Sequence, residues 1–102
     1  MKIQQETFEL EMKIQTISEA LNFLWQIAGV ICVKPTAFNA VLYPTIGGEG
    51  GCGITATLYF VESYCIIDSW PETSFVHLNI VSCKPFSRSL VEEKIKPFLE
   101  GR

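Results

Sequence analysis

The chain has 102 residues, 48% of them hydrophobic and 19% charged, with a net charge of −3. That suits one domain spanning residues 1–102, able to bury a core but with little surplus, so self-association would help it. A weakly acidic balance without clustered Lys or Arg excludes nucleic acid and anionic membranes as partners. The opening stretch Met1 to Glu6 lacks the apolar segment of a signal peptide, and no apolar run approaches the roughly 20 residues that span a bilayer, so the expected address is the cytoplasm.

From Thr7 to Ile14, Phe8, Leu10, Met12 and Ile14 alternate with Glu9, Glu11 and Lys13, the period-2 pattern of a half-buried strand. Thr16 and Glu19 have capping-box spacing, and Ala20, Leu21, Phe23, Leu24, Ile27 and Ala28 recur at helical spacing, which predicts a helix over Ile17 to Val30. Pro35 closes the connection after it. The segments Ala37 to Tyr43, Ile54 to Val61, Tyr64 to Asp68 and Ser74 to Cys83 are rich in β-branched and aromatic residues and read as strands. Ser89 and Glu92 then mark the start of a second helix carrying Leu90, Val91, Ile95, Phe98 and Leu99, which Pro97 should kink or shorten. One helix, a run of strands and a second helix predict an α+β two-layer sandwich, a mostly antiparallel sheet with both helices on one face.

Few residue patterns here carry chemistry on their own. The four cysteines, Cys32, Cys52, Cys65 and Cys83, show no C-x-x-C spacing, and His77 is the only histidine, so neither a metal centre nor a disulfide framework is expected. The run Gly47-Gly48-Glu49-Gly50-Gly51-Cys52-Gly53 contains a formal G-x-G-x-x-G. That fingerprint works where a helix follows it, and the segment that follows reads as strand, so a hairpin loop is the better reading.

One constellation is more specific. Glu62-Ser63 is followed by Ser69-Trp70-Pro71-Glu72, and Cys83 lies eleven residues beyond Glu72. Together these resemble the cleavage-site and active-site segment of the short bacterial and archaeal S-adenosylmethionine decarboxylases. The resemblance spans about Phe8 to Leu99, and its specific part is Ile54 to Cys83. It implies that the Ser63 hydroxyl attacks the Glu62 carbonyl, that the resulting ester breaks by β-elimination, and that the new N-terminus hydrolyses to a pyruvoyl group. That group serves as the cofactor in place of pyridoxal phosphate.

The resemblance also implies roles for further positions. Cys83 occupies the place of the acid that reprotonates the substrate carbon, and period 2 sets it on the strand face of His77, Asn79 and Val81. Trp70 and Glu72 stand where the family holds adenine and the ribose hydroxyls. Thr55 keeps the hydroxyl of the family's processing serine. Asp68 replaces its processing histidine, Tyr64 replaces a second histidine, and Glu49 falls where a second aromatic wall is expected. Read without the family, Ser63 is a turn serine, Asp68 a solvated strand end, Cys83 a small buried residue, and Cys32, Cys52 and Cys65 packing residues.

Three functional expectations follow from the resemblance. The first is a pyruvoyl-dependent decarboxylase acting on S-adenosylmethionine in spermidine biosynthesis, working as a homodimer. The second is an uncleaved, non-catalytic relative that works by binding or as a partner subunit. The third is a pyruvoyl decarboxylase with another amino acid as substrate, a cationic one paired with Glu49. Chains of that family usually continue past the second helix into further strand, so either an exposed sheet edge or a weaker dimer is also expected here.

Overall fold

The structure is a computed structural model that describes residues 2–31, 34–44 and 52–99, excluding the side chains of residues 44 and 52. In chain order it forms β1 (Gln4–Glu11), α1 (Ile17–Ile31), β2 (Ala37–Pro44), β3 (Cys52–Phe60), β4 (Ser63–Trp70), β5 (Phe75–Ser82) and α2 (Arg88–Ile95). Single 3-10 turns cover Pro71–Thr73 and Lys96–Phe98. The strands make one five-stranded sheet in the order β1-β5-β4-β3-β2, with every neighbouring pair antiparallel. Strands β2 to β5 are a meander, and β1 joins its far edge. The α+β sandwich expected from the sequence is the fold observed.

Alternation along each strand sends one set of side chains to the helices and the other to an open face. Phe8 and Leu10 of β1, Ile54, Ala56, Leu58 and Phe60 of β3, Cys65 and Ile67 of β4, and Val76, Leu78 and Ile80 of β5 are all buried. They form one core with Phe23, Leu24 and Ile27 of α1 and Val91 and Ile95 of α2. Phe98 closes it edge-on against Phe23, with ring centroids 5.0 Å apart. Among the described residues no helix is long and apolar enough to cross a membrane.

Both helix starts are set by side chains, one at the expected residue and one not. Glu19 N–H donates to Thr16 Oγ1 at 3.1 Å and Thr16 N–H to Glu19 Oε1 at 3.1 Å, a reciprocal capping box. In α2 the cap is Ser87, not Ser89: Ser87 Oγ accepts from Leu90 N–H at 3.3 Å. Leu90, counted with the apolar face of α2, is 56% exposed. Pro97 does stop the helix, and only a 3-10 turn continues past Ile95.

Strand limits shift where turn chemistry is unusual. Strand β1 begins and ends three residues before the expected Thr7 to Ile14, although Met12 and Ile14 stay buried beyond it. Strands β3 and β4 meet at a hairpin in which Phe60 pairs with Ser63, leaving Val61 and Glu62 as the turn. Glu62 has a φ of 61°, the left-handed region that hairpin turns normally fill with Gly or Asn. Neither residue type is present, which is why the sequence pattern let β3 run through Val61.

Candidate active site

Ser63 is the first residue of β4 rather than a turn residue, and its side chain is buried at the end of the core. Its Oγ accepts a hydrogen bond from Cys83 N–H at 3.2 Å and lies 3.7 Å from Cys83 Sγ. It also donates to Ser82 Oγ at 3.5 Å. Ser82 is fully buried; its hydroxyl donates to Lys84 C=O at 2.8 Å and accepts from Lys84 N–H at 3.1 Å, fixing the turn that carries Cys83. The sequence reading passed over Ser82. The available signal was a hydroxyl at a core-facing position in a Val- and Ile-rich strand, beside a singled-out cysteine.

Ser63 and Cys83 are therefore brought together, though not as period 2 suggested. Strand β5 ends at Ser82, so Cys83 has left the face shared by His77, Asn79 and Val81 and turns toward Ser63. It also lines a cavity of about 650 Å³ with Lys2, Ile3, Gln4 and Pro85. Glu62, on the other side of the bond to Ser63, is exposed at the hairpin tip.

Cys65, two residues on from Ser63, is a different kind of thiol. It is fully buried among core residues, and desolvation pushes its pKa up to about 12. It is a packing residue, as expected. Among the described residues Cys65 and Cys83 are free thiols.

Thr55 and Asp68 form the second cluster. They are register partners in β3 and β4, and Thr55 Oγ1 donates to Asp68 Oδ1 at 2.6 Å, a charge-assisted bond. Asp68 is thus a half-buried mid-strand residue, not a solvated strand end. Tyr43 of β2 adds its hydroxyl 3.5 Å from Thr55 Oγ1. Its ring lies over Gly53, where a Cβ would sit 2.5 Å from Tyr43 Cε2, so the bare backbone makes room for it. In the next strand His77 is the register partner of Asp68, and Glu9 of β1 is the partner of His77. The open face therefore carries a cross-strand row of Glu9, His77, Asp68 and Thr55.

This row stands apart from Ser63 in the same chain. Five strand steps separate Ser63 from Asp68, about 16 Å at the usual rise per residue. Trp70 and Glu72 are farther still, seven strand steps or about 23 Å for Trp70. Trp70 is 39% exposed and rests against Phe75 with ring centroids 5.5 Å apart. Glu72 is exposed on the 3-10 turn after β4. Glu49 and most of its glycine run lie outside the described residues. The segment that follows the run is strand β3, not the helix a dinucleotide fingerprint requires.

No protein-family model matches the chain. No curated protein matches it either. Among solved structures it is similar to the crystal structure of the adenosylmethionine decarboxylase from Aquifex aeolicus VF5, with a TM-score of 0.73. The chain has that decarboxylase's fold. The match covers 98% of this chain and 82% of that one at 13% sequence identity. At such identity the likeness speaks for the adenosylmethionine decarboxylase-like fold, and the residues must speak for any chemistry.

Proposed function

We propose that this protein is a self-processing, pyruvoyl-dependent decarboxylase of the S-adenosylmethionine decarboxylase type. The observation that carries the reading is the Ser63 hydroxyl, held by Cys83 N–H at 3.2 Å with the Cys83 thiol 3.7 Å away, directly after a residue with a φ of 61°. A left-handed non-glycine residue costs roughly 1–2 kcal/mol, so the peptide bond to be cut leaves a strained residue. Ser63 Oγ adds to the Glu62 carbonyl carbon, and the amide C–N bond breaks as the amine takes a proton. Elimination from the ester then frees the Glu62 carboxylate, and addition of water to the new N-terminus with loss of ammonia leaves the pyruvoyl group. Once formed, that group supplies an electrophilic carbonyl that takes up electrons as carbon dioxide leaves. In this reading Cys83, which lies beside Ser63 and lines the cavity, returns a proton to the substrate carbon.

The substrate is S-adenosylmethionine or a related amino acid, held at its nucleoside end by the Trp70 ring and the Glu72 carboxylate. With those residues at the far end of β4 from Ser63, one chain does not bring both to one ligand. A two-fold homodimer would, if its axis crosses the open face near the middle of β4 and so sets the Ser63 end of one copy against the Trp70 end of the other. The exposed apolar residues of the open face, Val41, Tyr59, Tyr64 and Trp70, give such a pair apolar area to bury.

A second reading has its own support. Among the described residues, the side chains bonded to Ser63 are those of Ser82 and Cys83, neither a carboxylate nor an imidazole, and the Asp68 carboxylate is engaged by Thr55 about 16 Å away. On that basis the chain is an uncleaved binding protein on a decarboxylase fold. Intact-mass measurement of denatured protein after long incubation at neutral pH decides between them. Two fragments split at Glu62-Ser63, the second able to take up borohydride-reducible label from substrate, are the expected result. A single chain of 11.5 kDa would leave only the binding reading.

A further inference from the structure

Between the end of β5 and the start of α2, the segment Cys83 to Phe86 carries the thiol that lies against Ser63, and side chains take its N–H groups. Cys83 N–H donates to Ser63 Oγ at 3.2 Å and Lys84 N–H to Ser82 Oγ at 3.1 Å. Pro85 has no N–H, and Phe86 N–H donates to Gln4 Oε1 at 3.0 Å. Gln4 Nε2 donates in return to Phe86 C=O at 3.0 Å. The Gln4 carboxamide thus pairs with both backbone groups of Phe86, as a neighbouring strand would. Ser82 does the same for Lys84, accepting from its N–H and donating to its C=O at 2.8 Å. Gln4 and Ser82 are themselves the last register pair of β1 and β5. Where that ladder stops, their side chains continue it and hold the segment on either side of Pro85.

The carboxamide is itself fixed. Period 2 places Gln4 on the face of β1 shared by Glu6 and the buried Phe8. Its Nε2 lies 3.5 Å from Glu6 Oε2, Glu6 Oε1 takes Arg88 Nη1 at 2.8 Å, and the Arg88 guanidinium sits 4.0 Å over the Phe8 ring. Gln4 also lines the cavity of about 650 Å³ beside Cys83. We propose that Gln4 is a positioning residue for Cys83: its carboxamide, rather than its bulk, keeps Cys83 against Ser63. The catalytic consequence rests on the proposed function. Without the two Phe86 bonds, the segment loses its hold on β1. Cys83 N–H then no longer fixes the Ser63 hydroxyl, and the thiol leaves its place beside it. A shift of about 1 Å at a reacting group costs on the order of 10²-fold in rate.

Two substitutions in the full chain separate bonding from bulk. Gln4→Met fills similar space and makes neither bond. Gln4→Glu keeps an acceptor for Phe86 N–H, but its ionised carboxylate has nothing to donate to Phe86 C=O. In intact-mass time courses Gln4→Met should cut at Glu62-Ser63 about 10²-fold more slowly than wild type, with Gln4→Glu between them and circular dichroism native in both. Cleavage of Gln4→Met at the wild-type rate would assign Gln4 to packing and overturn the inference. A second readout needs no cleavage. In the Ser63→Ala chain, adding Gln4→Met should make Cys83 alkylate with iodoacetamide about tenfold faster, because local opening is easier, while Cys65 stays protected. Unchanged Cys83 labelling, or equal acceleration of Cys65 through general loosening, would also overturn it. An uncut wild-type chain would overturn the proposed function, and the labelling would then decide the inference by itself.

Discussion

The two ends of strand β4 solve opposite problems. At the Ser63 end the buried hydroxyls are engaged: Ser63 and Ser82 are joined with Cys83 N–H and the Lys84 backbone in a connected set of hydrogen bonds at the margin of the core. At the Trp70 end the indole is 39% exposed and rests against Phe75, and the Glu72 carboxylate is exposed on the turn that follows. The first arrangement suits a group that must be held before anything binds, as a self-modifying residue must. The second suits a surface completed by a ligand or a second copy. The difference also separates what one chain can do alone from what needs a partner.

The largest effect that would break this comparison is loss of the Ser63 hydroxyl. Ser63→Ala should abolish cleavage outright, with no fragment visible by intact mass. It also leaves Cys83 N–H without its acceptor, at a cost of about 1 kcal/mol, measurable by urea denaturation. Fragments from the Ser63→Ala chain would mean that cutting is adventitious proteolysis at an exposed tip.

Next in size is the contrast between the two thiols near that end. With its pKa raised to about 12, Cys65 should alkylate about 10³-fold more slowly than an ordinary thiol in the native state, while Cys83 labels first. Mass-resolved labelling with iodoacetamide at pH 8 reads this directly. The same shift fixes a sign for stability. Below about pH 9 the thiol is protonated in both states and its burial is untaxed. Between about pH 9 and the folded value of about 12 the unfolded chain loses the proton and the folded chain keeps it. Stability should therefore fall by roughly 1.4 kcal/mol per pH unit across that window, a slope that Cys65→Ala should lack.

At the other end the expected effects are smaller and depend on a ligand. Trp70→Ala should weaken S-adenosylmethionine binding by about 1–3 kcal/mol, the usual worth of a base stacked on an aromatic ring, read by isothermal calorimetry. Unchanged affinity in Trp70→Ala would remove this end of β4 from the site.

How much of this was legible in the sequence divides along the same line. The β1 alternation through Phe8 and Leu10, and the Thr16 to Glu19 capping box, are local patterns, and both reappear in the structure as bonds or burial. Ser87 was missed because Ser89 offers the same hydroxyl two residues later, and only the path of the chain decides which one reaches Leu90 N–H. The Thr55 to Asp68 bond and the opposition of His77 to Asp68 depend on register between strands, which no local pattern states. Cys83 was assigned to the wrong face for a related reason: period 2 holds only while the strand lasts, and β5 stops one residue earlier.

The smallest expected effect is also the one that best tests the purpose of the hairpin. Glu62 at a φ of 61° occupies a conformation that glycine adopts without a Cβ penalty. Glu62→Gly removes a strain of about 1–2 kcal/mol but adds freedom to the unfolded chain worth roughly 0.5–1 kcal/mol. The net should be stabilisation of about 0.5 kcal/mol, a rise of about 2–4 °C in melting temperature for a domain of this size. If the strain helps drive the acyl shift, the same variant should cut more slowly although Ser63 and Cys83 are untouched. A stabilised variant that cuts at the wild-type rate would assign the left-handed glutamate to turn geometry alone. A variant that is both more stable and slower would tie the local cost at Glu62 to the bond that breaks.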